Sequence, residues 1–330
     1  MARAAIVASE LRSERRRLRR RLGRLELNLV RRHTVERYAT HFTAFMDYVQ
    51  QLLGELPRSP TEYDALLSEY LEVLWDLGEP KSAATYSVAA LQFYLPQLKK
   101  HLPRSWKLKA IWDRLELPCQ AIPLSLEMLF SFVGYFINRR DNIMAWACIL
   151  GFNGLLRTGE LLSLLNSHCS WTPQGLVLHL TDTKGAQRRL IQEESVIICD
   201  ELTLGVVKLL SQNRKPGDYL VGISAATFRT RWNHMKKSLH LQHLRFLPYS
   251  LRRGGATWFF RETGSFSRTM LRCRWQHLKT CKLYIAEAQT ALASLSLPPT
   301  TTQTLHTYGL VARPHLSRWA TLGRVEDTPP

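Results

Sequence analysis

Acidic side chains are in short supply in this chain. Its 330 residues carry 27 Asp and Glu against 45 Lys and Arg, a formal net charge of +18. That imbalance argues for a polyanionic partner, nucleic acid first and an anionic membrane surface second, without choosing an activity. Cysteine is sparse and scattered. Its six copies (Cys119, Cys148, Cys169, Cys199, Cys273 and Cys281) form no CxxC pair and no tight cluster. They do not offer the converging ligands of a zinc site, and free thiols in a reducing compartment are expected. Long apolar runs are missing too. The longest stretch, Ile143 to Leu165, is interrupted by Asn153, Arg157 and Glu160, so no membrane span is expected. There is no internal repeat. A soluble intracellular protein follows. With 45% hydrophobic and 10% aromatic residues, the chain can build a sizeable core in two domains of ordinary size.

What is present is organised in blocks. Residues 1–32 hold eleven arginines and three acids, with Leu11, Leu18, Leu22, Leu25 and Leu29 on one helical face. Three readings compete for this basic arm: a nuclear or nucleic-acid-binding segment, a solvated helix without a specific role, and a mitochondrial transit peptide, which the acids and the scarcity of serine disfavour. Residues 33–117 read as a helical unit. Tyr38, Phe42, Phe45, Val49 and Leu52 line one helix. Pro60-Thr61 opens a second, bearing Tyr63, Leu67, Tyr70 and Leu74 and ended by Gly78, and a third runs from about Ser82 to Leu95. These aromatics fit a core better than base-stacking platforms. The two prolines of Leu117–Pro123 mark residues 118–123 as a linker. Residues 124–294 are mostly helical, with one hairpin: Gly175–Leu180 as a strand, Asp182-Thr183-Lys184-Gly185 as the turn, and Arg189–Ile198 returning. Residues 295–330, with Pro298-Pro299-Thr300-Thr301-Thr302 and a closing Pro329-Pro330, are expected to be a disordered tail. The fold class is therefore mainly α with a small antiparallel β-sheet (α+β).

Five positions in the second half stand apart. Arg157 lies in Gly154-Leu155-Leu156-Arg157-Thr158-Gly159-Glu160-Leu161-Leu162, an apolar setting in which a guanidinium needs a partner. Glu160 can serve as that partner, and a bidentate arginine is equally suited to gripping two phosphate oxygens. Lys184 occupies the hairpin turn, with Arg188 and Arg189 close behind. Arg252 lies in Pro248-Tyr249-Ser250-Leu251-Arg252-Arg253-Gly254-Gly255-Ala256-Thr257. Trp275 follows it by 23 residues, in Arg272-Cys273-Arg274-Trp275-Gln276-His277, and Tyr284 follows Trp275 by nine, in Lys279-Thr280-Cys281-Lys282-Leu283-Tyr284-Ile285. Taken singly, each is an ordinary charged or aromatic position; Trp275 is one of nine tryptophans, and a core role would suit it.

Taken jointly, the residues and spacings resemble the tyrosine recombinase (site-specific integrase) family. The resemblance covers about 124–290 by specific motifs and about 33–117 by helical character and position alone. It implies a tyrosine recombinase catalytic domain preceded by a helical core-binding domain that clamps one face of a duplex. It implies metal-free and cofactor-free strand transfer. Tyr284 would be the nucleophile, forming a 3′-phosphotyrosyl intermediate. Arg157 and Arg252 would clamp the phosphate, Lys184 would be the general acid toward the leaving 5′-oxygen, and Trp275 would donate an indole N–H. Glu160 and His277 would support the site, while Arg188, Arg189, Arg253, Lys279 and Lys282 would contact DNA. One departure matters: where members of the family carry histidine three residues before the second arginine, this chain has Tyr249. A phenol donates a hydrogen bond well and accepts a proton poorly, unlike imidazole near neutral pH.

The resemblance further implies double-stranded DNA as partner, a homo-tetramer at synapsis, a monomer or weak oligomer when free, and a mobile element as natural context. Localisation would be nuclear in a eukaryote and cytoplasmic otherwise. The competing expectations are a DNA-binding relative that no longer completes recombination, kept open by Tyr249, and a type IB topoisomerase.

Overall fold

The computed structural model describes residues 12–22, 29–117, 120–181, 193–285 and 287–324. They divide into two compact units, with the boundary between Cys119 and Gln120. The fold is the expected one, mainly α with a small antiparallel sheet.

The first unit is helical: α1 (Arg12–Leu22), α2 (Arg32–Leu53), α3 (Pro60–Asp76), α4 (Lys81–Tyr94) and α5 (Pro103–Leu115). Its core gathers Phe45, Val49, Leu67, Tyr70, Leu71, Ala84, Val88, Leu91 and Trp112. The stripe read on α2 stops being buried after Val49, because Leu52 is half exposed. Local chemistry sets the ends of α3: the Ser59 hydroxyl accepts the Glu62 N–H at 3.2 Å, Pro60 fits the first turn, and Gly78 leaves the helix with φ +72°.

A buried acid joins two of these helices. Asp64, 7% exposed, accepts the backbone N–H groups of Arg104 and Ser105 at 2.9 Å each, and the Ser105 hydroxyl at 2.6 Å. It thus caps α5 from the side of α3. Asp64→Ala should lower stability by about 2 kcal/mol, since buried donors at a helix start lose their acceptor. Denaturant unfolding measures this directly; a change within about 0.5 kcal/mol would mean the cap is dispensable.

The second unit contains α6 (Leu126–Asn138), α7 (Asn142–Asn153), α8 (Thr158–Ser163), β1 (Cys169–Thr172), β2 (Gly175–Thr181), β3 (Glu193–Ile198), α9 (Glu201–Ser211), α10 (Ala225–Ser238), α11 (Ser250–Thr263), α12 (Phe266–Cys273), α13 (Leu278–Tyr284), α14 (Glu287–Leu295) and α15 (Pro299–Gly323). The strands lie in the order β1-β2-β3, all antiparallel, with Leu178 opposite both Cys169 and Val196. Alternation puts Leu176, Leu178, Leu180, Val196 and Ile198 into the core beside Phe132, Phe152, Trp232 and Phe246. Residues 182–192, expected as the hairpin turn and carrying Lys184, Arg188 and Arg189, lie outside the described residues, as does Pro118-Cys119 of the expected linker.

The expected disordered tail is corrected by α15, a 25-residue helix. Leu305, Ala312, Leu316 and Trp319 are buried in the main core, stepping along one face. Glycines on the neighbours permit a very close approach. A Cβ on Gly134 of α6 would stand 1.8 Å from the Tyr308 carbonyl oxygen, and one on Gly205 of α9 1.7 Å from that of Trp319. Gly205→Ala should therefore push α15 away at a cost of about 2–3 kcal/mol, as overpacking does. The expected readout is new protease cleavage between Leu297 and Gly323; an unchanged digest and melting temperature would refute the close docking.

Candidate active site

The site is assembled at helix ends. Arg157 precedes α8, where its own backbone N–H donates to Glu160 Oε2 at 2.8 Å. The Arg157 guanidinium also bonds the Glu160 carboxylate, so the ion pair anticipated from the sequence forms, while a third of the Arg157 side chain stays exposed. Glu160 is shared further. Its Oε2 accepts from Arg274 Nη2 at 2.9 Å and lies 3.6 Å from Arg252 Nη1. Burial alone would raise the Glu160 pKa, but Arg274, Arg252 and Arg157 together hold it below the ordinary carboxylate range.

Arg252 is completely buried. Its Nη1 donates to the Leu155 carbonyl at 2.5 Å and its Nη2 to that of Cys273 at 2.6 Å. Leu155 presents that carbonyl from a left-handed backbone, φ +48°. Burial, then repulsion from Arg274 and Arg157, lowers the Arg252 pKa. The Gly254-Gly255 pair explains how α11 comes so near. A Cβ on Gly254 would be 2.3 Å from the Leu124 carbonyl oxygen, and one on Gly255 2.1 Å from that of Phe152.

Three aromatic rings cover this charged floor. Trp275 packs against Leu155, Ala256 and Cys273, with the Arg252 guanidinium 5.8 Å from its ring centre. Tyr284, the last residue of α13, lies 4.6 Å from Trp275 between centroids. Tyr249, just before α11, donates its hydroxyl proton to the Tyr284 hydroxyl at 2.5 Å. Burial and that hydrogen bond raise the Tyr249 pKa above the ordinary phenol value, against the pull of Arg252 and Arg157. Thr257 Oγ1 ties α11 to the end of α13 through the Tyr284 carbonyl, at 3.3 Å. Two arginines, an indole and two phenols are thus brought together, an arrangement able to hold an anion against a hydroxyl nucleophile. Among the described residues, no group of three or more His, Cys, Asp or Glu side chains converges as a metal would require.

No protein-family model matches the sequence, and no curated protein matches it. Solved structures do. The XerH site-specific recombinase bound to palindromic difH substrate, in a post-cleavage complex, is 15% identical, with a TM-score of 0.53 over 82% of this chain and 79% of that one. Its pre-cleavage complex with difH substrate is 15% identical, with a TM-score of 0.52 over 86% and 84%. The Tn1549 transposon integrase in complex with transposon right end DNA is 14% identical, with a TM-score of 0.55 over 84% of this chain and 95% of that one. The chain has the tyrosine recombinase fold.

Within that fold the anticipated residues divide. Arg157, Glu160, Tyr249, Arg252, Trp275 and Tyr284 converge, whereas Lys184, Arg188 and Arg189 lie outside the described residues. His277, Lys279 and Lys282 are exposed on or beside α13. Arg253 calls for a correction. Expected on DNA, it is 3% exposed, donating from Nη1 to Gln120 Oε1 at 2.5 Å and from Nη2 to the Leu283 carbonyl at 3.0 Å. With its guanidinium 5.5 Å from the centre of the Tyr284 ring, it is a strut holding α13 to α11. Sequence reasoning missed Arg274, which is buried at the centre of the cluster. The only available signal was a second arginine in the run from Arg272 to Trp275.

Proposed function

We propose that this chain cleaves and rejoins double-stranded DNA in site-specific recombination, with Tyr284 as nucleophile. The Tyr284 oxygen attacks phosphorus as its proton passes to solvent water, and the bond to the 5′-oxygen breaks. That oxygen takes up a proton, from Lys184 in this reading, leaving a 3′-phosphotyrosyl bond and a free 5′-hydroxyl. Religation is the reverse, and because the ester is exchanged rather than hydrolysed, no nucleotide cofactor is needed. The observation that carries the reading is the Tyr284 hydroxyl held at 2.5 Å by Tyr249 over the cluster of Arg157, Arg252 and Arg274. Similarity of fold to a recombinase and a transposon integrase bound to DNA supports mobile-element integration or excision; in this reading four protomers act on two sites. With a net charge of +18, phosphate contacts would dominate affinity, which should fall steeply with salt.

The second reading, a DNA-binding relative without strand transfer, is favoured by one observation: Tyr249 stands where a proton-accepting histidine is expected. A nicked suicide duplex separates the two. An active enzyme accumulates a covalent protein–DNA adduct, and absence of adduct from every duplex, random-sequence pools included, rules out the cleavage reading.

A further inference from the structure

Arg274 closes α12 in the left-handed conformation, φ 60° and ψ 38°, where helices commonly place glycine. A long side chain stands here against the backbone preference, and it is turned inward, 5% exposed. Its Nη2 donates to Glu160 Oε2 at 2.9 Å and to the Leu155 carbonyl at 3.2 Å. Its Nη1 lies 3.8 Å from Glu194 Oε2. Neither Nε nor Nη1 of Arg274, nor Nε of Arg252, has a hydrogen-bond partner among the described residues. Buried guanidinium donors left in this state are unusual, and they suit an anion that completes the set.

Counting charge shows what the residue adds. Among the described residues, Arg157 and Arg252 both face Glu160, and Arg274 joins them on that carboxylate while also reaching Glu194. A phosphodiester brings one negative charge, and attack by a phenolic oxygen spreads a second over its non-bridging oxygens, so arginine charge beyond what Glu160 absorbs is needed to meet them. Of the three arginines that hold down the Glu160 pKa, Arg274 exerts the strongest pull. We propose that Arg274 is a positioning residue for the phosphate: by sharing the Glu160 carboxylate it leaves more of the charge of Arg157 and Arg252 for the anion. The proposal rests on the DNA-cleaving reading above and adds to it a third arginine.

The test uses the full chain with Arg274→Gln, which removes the charge and keeps a shorter polar side chain, Arg274→Lys, which keeps the charge, and Arg274→Gln combined with Glu160→Gln. On a suicide duplex at saturation, Arg274→Gln should form adduct roughly 100-fold more slowly, the usual scale for losing one stabiliser of developing charge. Its DNA Kd should stay within about threefold, because many phosphate contacts set affinity. Arg274→Lys should retain most of the rate, and the double variant should recover at least about tenfold of the loss, as removing an uncompensated buried carboxylate predicts. A rate for Arg274→Gln within about threefold of the parent overturns the proposal, and a double variant no faster than Arg274→Gln overturns action through Glu160. Inorganic phosphate supplies an arm that needs no cleavage. The phosphate concentration needed for a given rise in melting temperature should increase about tenfold in Arg274→Gln, corresponding to one uncompensated charge; no change counts against the proposal. A parent protein that forms no adduct, yet shows this shift, refutes the cleavage reading and leaves the role of Arg274 standing.

Discussion

Tyr284→Phe should bind duplex DNA as the parent does and form no covalent adduct, a loss of at least about 10⁴-fold in the rate of strand cleavage. The expectation follows from the geometry around one oxygen. The ring of Tyr284 is held by Trp275 at 4.6 Å and by the Arg253 guanidinium at 5.5 Å. Its carbonyl accepts from Thr257, so phenylalanine can occupy the same place. What disappears is the nucleophile and the acceptor of the Tyr249 hydroxyl. The structural cost should be about 1 kcal/mol, the usual worth of one such hydrogen bond, so a folded, DNA-binding and inactive protein is the expected product. Denaturing gels after incubation with a suicide duplex, run beside a binding titration at fixed salt, read both properties. A Phe variant that still forms adduct would transfer the nucleophile to another residue, and one that no longer binds would make Tyr284 a structural residue.

Much of this arrangement could be read along the chain, and the failures have physical causes. The helices of the first unit announce themselves through caps and periodicity: Ser59 and Pro60 at one end of α3, Gly78 beyond the other. The hairpin strands show in the alternation of Leu176, Leu178 and Leu180. Arg157 and Glu160 are three residues apart, so their pairing is local and legible. Arg252 is a different matter. Its hydrogen bonds go to carbonyls 97 and 21 residues away, and no motif states that a conspicuous arginine is held by main chain instead of facing solvent. Arg253 shows the same limit, since its burial depends on Gln120 and Leu283. Arg274 escaped because its importance lies in a positive φ and an inward side chain, neither of which composition encodes.

The C-terminal helix was misread for a more instructive reason. Pro298-Pro299-Thr300-Thr301-Thr302 carries a strong compositional signal for disorder, and Pro314 inside α15 adds to it. Yet Pro299 sits in the first turn, where its missing N–H costs nothing. Leu305, Ala312, Leu316 and Trp319 then recur at helical intervals, and all are buried. The decisive term is tertiary: α6 and α9 offer Gly134 and Gly205 where α15 crosses. That complementarity joins segments more than a hundred residues apart, beyond the reach of any local window.

Tyr249→His should accelerate adduct formation, and the sign of its pH dependence separates a donor from a base. In the parent, burial and the hydrogen bond to Tyr284 raise the Tyr249 pKa, while Arg252 and Arg157 only partly oppose them. The phenol therefore stays protonated through the range of about pH 6 to 9. It can steady the Tyr284 oxygen as charge develops there, but it cannot take that oxygen's proton. Imidazole can, once neutral. With an unperturbed value of about 6.5, and with Arg157 and Arg252 nearby to disfavour the cation, a histidine at this position should be neutral at about pH 8. Acceleration of about 100-fold there is the expected scale of general-base assistance. The gain should vanish as pH falls through the new histidine's pKa, at or below about 6.5, because the protonated ring no longer accepts. The parent profile should show no such step. A parent rate that itself titrates near about pH 6.5 would reveal another base beside Tyr284. A histidine variant no faster than the parent at about pH 8 would mean that proton removal does not limit cleavage, placing the barrier in the phosphate cluster beneath.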